Sequence, residues 1–221
     1  MVSKFRSPEA VKAWEVFAEL WKYTNPASTS YDAMQEPLKS GDVWVAFDHT
    51  ARLADAFNTS PDEFIAFPAA AGPTGRGFMP VLVGLAIPKT APNIDEAKAV
   101  IAHMLQRDTQ LATLEAVNFF PVVDAEIGEG SPSAARLSGA AISAMSGSAD
   151  ANPGLLPVGL GELGGKFSQT YTDTFERIIL SGQPIQAVLD DQAETLRDIM
   201  TEAAAPCWAP DPASDGACPV E

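Results

Sequence analysis

The apolar run Met79–Ile87 constrains the chain more than any other stretch. It falls well short of the roughly 20 residues that span a bilayer, and Pro88 stops it, so it reads as a strand. Asn93 and Glu96 then make a capping-box-like start for a helix carrying Ala97, Val100, Ile101, Met104 and Leu105. A strand that feeds a helix in this way predicts α/β architecture.

The same alternation is written upstream. Ser7-Pro8-Glu9 opens a helix with a capping hydroxyl, a proline in the first turn and an acid at the positive dipole end. Val11, Trp14, Ala18 and Trp21 form its apolar face, and Asn25-Pro26 stops it. A short helical segment over Tyr31–Ser40 ends at Gly41. Val43–Phe47 then reads as a buried strand with Trp44 in the core, and Asp48 takes the cap position of a helix starting near Thr50 and running towards Phe57. Phe64–Phe67 is a second strand. Pro68–Gly77 is a connector too rich in Pro and Gly for regular structure.

Downstream the pattern turns helical. Asp108 caps a helix through Leu111 and Leu114, and Phe119–Val123 is extended. Ser133–Met145 is a helix of small residues, Gly147–Lys166 a loop, and Ser168–Leu180 and Pro184–Ala203 are two further helices. Ile185, Val188, Leu189, Leu196, Ile199 and Met200 share one side of the last. No internal repeat is present.

A net charge of -15 and a pI near 4.4 repel phosphate backbones and anionic lipid, which argues against nucleic acid and membrane surfaces as partners. The N-terminal stretch has basic residues, Lys4 and Arg6, but no apolar core or small-residue cleavage site. Either an export signal lies upstream or the protein stays inside. Cys207 and Cys218 stand in a Pro- and Asp-rich tail, where they can close a short loop as a disulfide or remain two unpaired thiols. No other Cys or His lies nearby to make a metal site with them. The disulfide suits an oxidising compartment.

The candidate chemistry is concentrated after Phe47. Asp48, His49 and Arg52 follow a strand and open a helix, so a carboxylate, an imidazole and a guanidinium can converge with backbone N–H groups on a polar ligand. The plainer alternative has Asp48 as a cap and Arg52 paired with Asp55 or Glu63. A second candidate is Gly75–Met79, where Arg76 can reach a hydroxyl or an anion and Phe78 and Met79 add apolar contact. Gly159–Gly164 matches G-x-G-x-x-G, but no convincing strand precedes it and Glu162 would face a pyrophosphate. His49 and His103 are too few for a His-based zinc site, and no nucleophile motif accompanies Asp48-His49. Neither a cofactor nor catalysis is indicated. A hydrolase using two of Asp42, Asp48 and Asp55 is the enzymatic alternative.

Three pieces resemble one family. Ser40–His49 is similar to its "small-Gly-acid-hydrophobic strand, then polar turn". Pro80–Lys89, followed by Asn93–Leu105 and Gln110, resembles its cross-over strand, "glycine-x-alanine-isoleucine-proline" element and next helix. Phe175–Met200, with the Gly182 break, looks like the helix pair that ends such proteins. The family is the extracellular solute-binding proteins of ABC transporters, family 1, which are carbohydrate-binding and maltose-binding-protein-like, and the resemblance covers their C-terminal half only.

This likeness implies a partial periplasmic-binding-protein-like type II fold: a C-terminal lobe plus a segment returning to the N-terminal lobe. Residues 1–75 would belong to the C-terminal lobe, 76–123 to the returning segment, 124–203 to the C-terminal-lobe helices and 204–221 to the tail. It further implies a periplasmic protein that delivers a carbohydrate to ABC-transporter permease subunits. The turn after Phe47 would carry Asp48, His49 and Arg52 to the ligand, with Arg76, Phe78 and Met79 at the crossing between lobes. Where relatives stack a tryptophan on the sugar, this chain has Ala51, so stacking falls to Phe78 or Trp44. The N-terminal lobe has no counterpart in the sequence, so apolar surface of the returning segment would be exposed or paired with a second copy.

Overall fold

The computed structural model describes residues 2–155 and 157–221. Met1, which opens the basic N-terminal stretch, and Leu156, within the Gly147–Lys166 loop, lie outside the described residues. The chain forms two compact units. The first comprises Met1–Thr24, Gly77–Val81 and Asn152–Glu221; the second comprises Asn25–Arg76 and Leu82–Ala151.

The first unit is built on helices whose apolar faces meet. In α1 (Pro8–Trp21) the Ser7 hydroxyl accepts from Ala10 N at 3.2 Å, as the capping pattern predicts. The long helix α8 (Ile185–Ala203) buries Val188, Leu189, Ala193, Leu196, Ile199 and Met200 against Val2, Phe5, Phe167 and Ile178. Each fully buried aliphatic side chain contributes about 1.5–3 kcal/mol. Helix α7 (Gly164–Phe175) supplies Phe167 and runs into a π-turn over Glu176–Leu180, where Ser181 N donates to Glu176 O at 2.9 Å. The buried hydroxyls of Thr170 and Thr174 return to the carbonyls of Lys166 and Thr170 at 3.0 and 2.7 Å. Phe175 packs against Phe17 and Trp21 of α1, with ring centroids 5.9 and 5.2 Å apart.

Long-range bonds fasten both ends of the chain to this core. Asp211 Oδ2 accepts from Val2 N at 2.7 Å and from Ser3 N at 3.3 Å, and Oδ1 accepts from the Ser3 hydroxyl at 2.6 Å. Arg6 N donates to Glu221 O at 2.9 Å, and Glu221 N donates to Ser3 O at 3.3 Å. The tail is further closed by a disulfide between Cys207 and Cys218, the first of the two alternatives open for these residues.

The second unit centres on α3 (Ala54–Thr59) packed on α6 (Ser133–Ser146). Ala56 and Phe57 of α3 and Ala134, Ala135, Ser138 and Gly139 of α6 are buried. Gly139 makes room for two other side chains, since a Cβ there would stand 2.9 Å from Ile127 Cδ1 and 3.3 Å from Phe120 Cε1. Helix α2 (Gln35–Ser40), ended by Gly41 at φ 80°, packs on α3, and α4 (Ile94–Met104) packs on α5 (Arg107–Val117).

β-Structure is sparse: β1 (Arg76–Phe78) pairs with β2 (Ala151–Pro153), the only sheet among the described residues. Within the second unit Arg76 N donates to Asp150 O, and within the first Gly154 N donates to Phe78 O, each at 2.8 Å. The fold is therefore helix-rich, with the α/β pattern reduced to this pair.

All three predicted strands differ from expectation. Val43–Phe47, Phe64–Phe67 and Met79–Ile87 are irregular. Their side chains stand in solvent: Trp44 is 95% exposed, Phe47 85%, Ile65 78% and Leu82 76%. Trp44 is thus not a core residue. A strand needs a neighbour to accept its backbone bonds, and none of these runs has one here. The 68–77 connector carries more order than expected, since Gly72 and Gly75 exchange backbone bonds at 2.8 and 3.2 Å around Pro73-Thr74. Gly75 adopts φ 118°, and a Cβ there would meet Asp150 O at 2.5 Å, so this turn requires glycine.

Capping differs in detail. His49, not Asp48, caps the helical turn Thr50–Leu53, its Nδ1 accepting from Ala51 N at 3.3 Å. Neither Asn93 nor Asp108 caps with its side chain: Asn93 precedes α4 without a cap bond, and Asp108 lies in the first turn of α5, which starts after Gln106.

Candidate functional site

The turn after Phe47 is held by its own polar side chains. Asp48 Oδ2 accepts from Met34 N at 2.9 Å and Oδ1 from His49 N at 2.7 Å. Arg52 Nη1 donates to Asp32 O at 2.9 Å. Asp48 and Arg52 therefore clamp residues 32–34 onto the turn, while the His49 ring lies 6.3 Å from that of Phe119. Arg52 pairs with neither Asp55 nor Glu63; Asp55 instead faces Lys39 Nζ at 2.5 Å.

Beside this turn lies a cavity of about 240 Å³ within the second unit. Ala51 of the turn lines it, together with Gln35, Asp55, Asn58, Glu115 and Asn118. Two amides have one end fixed. Gln35 Oε1 accepts from Ala56 N at 3.3 Å, and Asn58 Oδ1 accepts from Ala134 N at 2.9 Å. Their NH2 groups bond to no acceptor among the described residues.

Asn118 is the most informative of the lining residues. It ends α5 in the left-handed conformation, φ 54°, which asparagine tolerates better than most residues. Its Nδ2 donates to Thr50 O at 3.3 Å, tying α5 to the turn. Its Oδ1 is buried and has no hydrogen-bond partner, although the residue is only 6% exposed. An unpaired buried acceptor costs about 1–3 kcal/mol.

Amides at Gln35, Asn58 and Asn118 and carboxylates at Asp55 and Glu115 make a mixed polar lining suited to hydroxyl groups, which both donate and accept. Sequence reading found the turn but missed Gln35, Asn58 and Asn118. Amides carry no spacing motif, and the only available signal was Asn118 standing where α5 stops.

The remaining sequence candidates lie elsewhere. Arg76 Nη1 donates to Ala69 O, and its Nε lies 3.9 Å from Asp150 Oδ1, so this side chain braces the Gly72–Gly75 turn. Phe78 is half-buried in β1. Met79, 59% exposed, lines a separate cavity in the first unit. Asp48, His49 and Arg52 belong to the second unit, Phe78 and Met79 to the first. His103 sits in the last turn of α4, and Gly161–Leu163 is a short 3-10 turn rather than a phosphate loop. No group of potential metal ligands occurs among the described residues, and no helix there is long and apolar enough to cross a membrane.

Comparison with curated proteins gives no match. The family model for bacterial extracellular solute-binding protein matches residues 2–130, which takes in all of the second unit up to Gly130, including the turn, Gln35, Asn58 and Asn118. Such a family works outside the cytoplasm, where the Cys207–Cys218 disulfide is stable. By this match the chain belongs to the bacterial extracellular solute-binding proteins.

Proposed function

We propose that the chain is the solute-capturing component of an ABC importer and takes a sugar or polyol, as in the carbohydrate-binding, maltose-binding-protein-like family 1. The observation that carries this reading is the gathering of three amides, Gln35, Asn58 and Asn118, and two carboxylates, Asp55 and Glu115, around one cavity. At about 240 Å³ the cavity lies below the roughly 300 Å³ at which drug-sized pockets begin, which favours a monosaccharide-sized ligand over an oligosaccharide. The carboxylates of Asp55 and Glu115 disfavour a sugar phosphate.

In this reading Asp48, His49 and Arg52 are positioning residues. They hold the turn that carries Ala51 to the cavity wall, and the small Ala51 leaves room where relatives place a tryptophan. Arg76 plays a similar part for its own turn. The exposed apolar runs at Val43–Phe47, Phe64–Phe67 and Val81–Leu85 fit strands of a type II sheet completed by further polypeptide. That polypeptide is either the N-terminal lobe of such a protein or a second copy of this chain.

The test is calorimetry of the chain with a panel of monosaccharides and polyols, beside their phosphates. Saturable binding of an uncharged member, weakened in Asn58→Ala and Gln35→Ala, is expected. Silence across the whole panel, or preference for the phosphates, rejects the assignment.

A further inference from the structure

The first unit contains a second cavity, of about 300 Å³, whose chemistry differs from that of the polar one. Its walls are aromatic and aliphatic: Phe167 and Tyr171 of α7, Trp208 of the tail, Leu155 and Met79. Phe167 stands between the other two rings, with centroids 5.1 Å from Tyr171 and 5.7 Å from Trp208. Asp211 is the one ionised group in the lining.

The state of Asp211 decides what the cavity can accept. Its carboxylate receives hydrogen bonds from Val2 N, Ser3 N and the Ser3 hydroxyl, at 2.6 to 3.3 Å. All three donors are neutral, and no cationic side chain among the described residues pairs with it. Among the described residues, then, its charge meets no cationic side chain, and it shares the cavity lining with three aromatic rings. Burial, and behind it that same charge, push the Tyr171 phenol well above its ordinary value, so Tyr171 enters the cavity as a neutral hydroxyl that bonds to no described residue.

We propose that this cavity binds a small organic ammonium ion with apolar substituents. Ring faces attract cations, Asp211 supplies the counter-charge, and the apolar wall receives the substituents. An anion meets the carboxylate and a chain of net charge -15. A sugar finds one free hydroxyl and an acid whose oxygens are already engaged. This site lies in a different unit from the polar cavity and does not depend on the ligand assigned there.

The test compares choline with its uncharged isostere 3,3-dimethylbutan-1-ol by calorimetry on the full chain. Choline is expected to bind at least about tenfold more tightly, the discrimination a desolvated cation–aromatic contact gives. Trp208→Leu is expected to abolish the difference, and Asp211→Asn, which keeps the shape and one acceptor oxygen, to reduce it. Equal affinity for the two probes in the wild-type chain, or no binding of either, overturns the proposal without reference to any variant. Binding of choline that survives both substitutions places it elsewhere and overturns the proposal equally.

Discussion

Asn118 bonds through its Nδ2 to the Thr50 carbonyl at 3.3 Å while its Oδ1, buried in the same wall, bonds to nothing. One side chain thus fastens the end of α5 to the Asp48–Arg52 turn and keeps an acceptor buried without a partner. Replacement by glycine separates the backbone role from the amide. Asn118→Gly keeps a residue that adopts φ 54° without strain but loses the bond to Thr50. The variant is expected to fold, to stay within about 1 kcal/mol of the wild type in urea titration because removal of the unpaired oxygen offsets the lost Thr50 bond, and to lose any stabilisation by a sugar or polyol that the wild-type chain shows.

The Cys207–Cys218 crosslink closes a loop over a sequence separation of 11. The chain-entropy relation gives about 3 kcal/mol for a loop of this size. Reduction, or joint Cys207→Ser and Cys218→Ser replacement, is expected to lower the urea midpoint accordingly. The first unit also loses order at Trp208, so fluorescence should report the loss before helical circular dichroism does. An unchanged midpoint would mean that the hydrogen bonds of Asp211 and Glu221 hold the tail unaided.

Tyr171 sets an alkaline limit on stability. Its folded pKa is raised, chiefly by burial and then by Asp211, above the ordinary 10.0. Below pH about 10 the phenol is protonated in both states and its contribution is fully present. As pH rises past that value the unfolded chain releases the proton and the folded chain keeps it, so stability falls. Denaturant titrations between about pH 9 and 11 should show a steeper decline for the wild type than for Tyr171→Phe, with the two agreeing at neutral pH.

The exposed apolar runs predict association. Trp44, Phe47 and Ile65, at 95%, 85% and 78% exposure, belong to irregular apolar runs of the sort that associate with other chains. Light scattering of this chain alone should give a mass that rises with concentration. Joint Trp44→Thr, Phe47→Thr and Ile65→Thr replacement is expected to flatten that rise and leave the melting temperature within a few degrees, because no buried contact is lost. A concentration-independent monomer mass in the wild type contradicts this prediction.

Helices were legible in the sequence and strands were not, for a reason visible in individual residues. The Ser7 cap, the Gly41 stop and the buried face of α8 were all readable, because a helix satisfies its backbone from within its own segment. Val43–Phe47 has the composition of a strand, but its bonds must come from a neighbour that no local pattern specifies. The apolar run is therefore present while the strand is absent. The candidate site was legible by half. The charged turn announced itself, but its side chains are spent on Met34 and Asp32, and the unspent groups belong to Gln35, Asn58 and Asn118. Those amides become significant only when α2, α3 and α5 are brought side by side.

Arg6 N on Glu221 O, Glu221 N on Ser3 O and the Asp211 clamp also bear on how the molecule can be rewired. The two extremities leave the helical unit from the same patch, so a few flexible residues would bridge them and allow circular permutation, with new ends cut at the surface turn around Gly182. By the same geometry, a fusion partner attached at either extremity would emerge on that one patch of the helical unit.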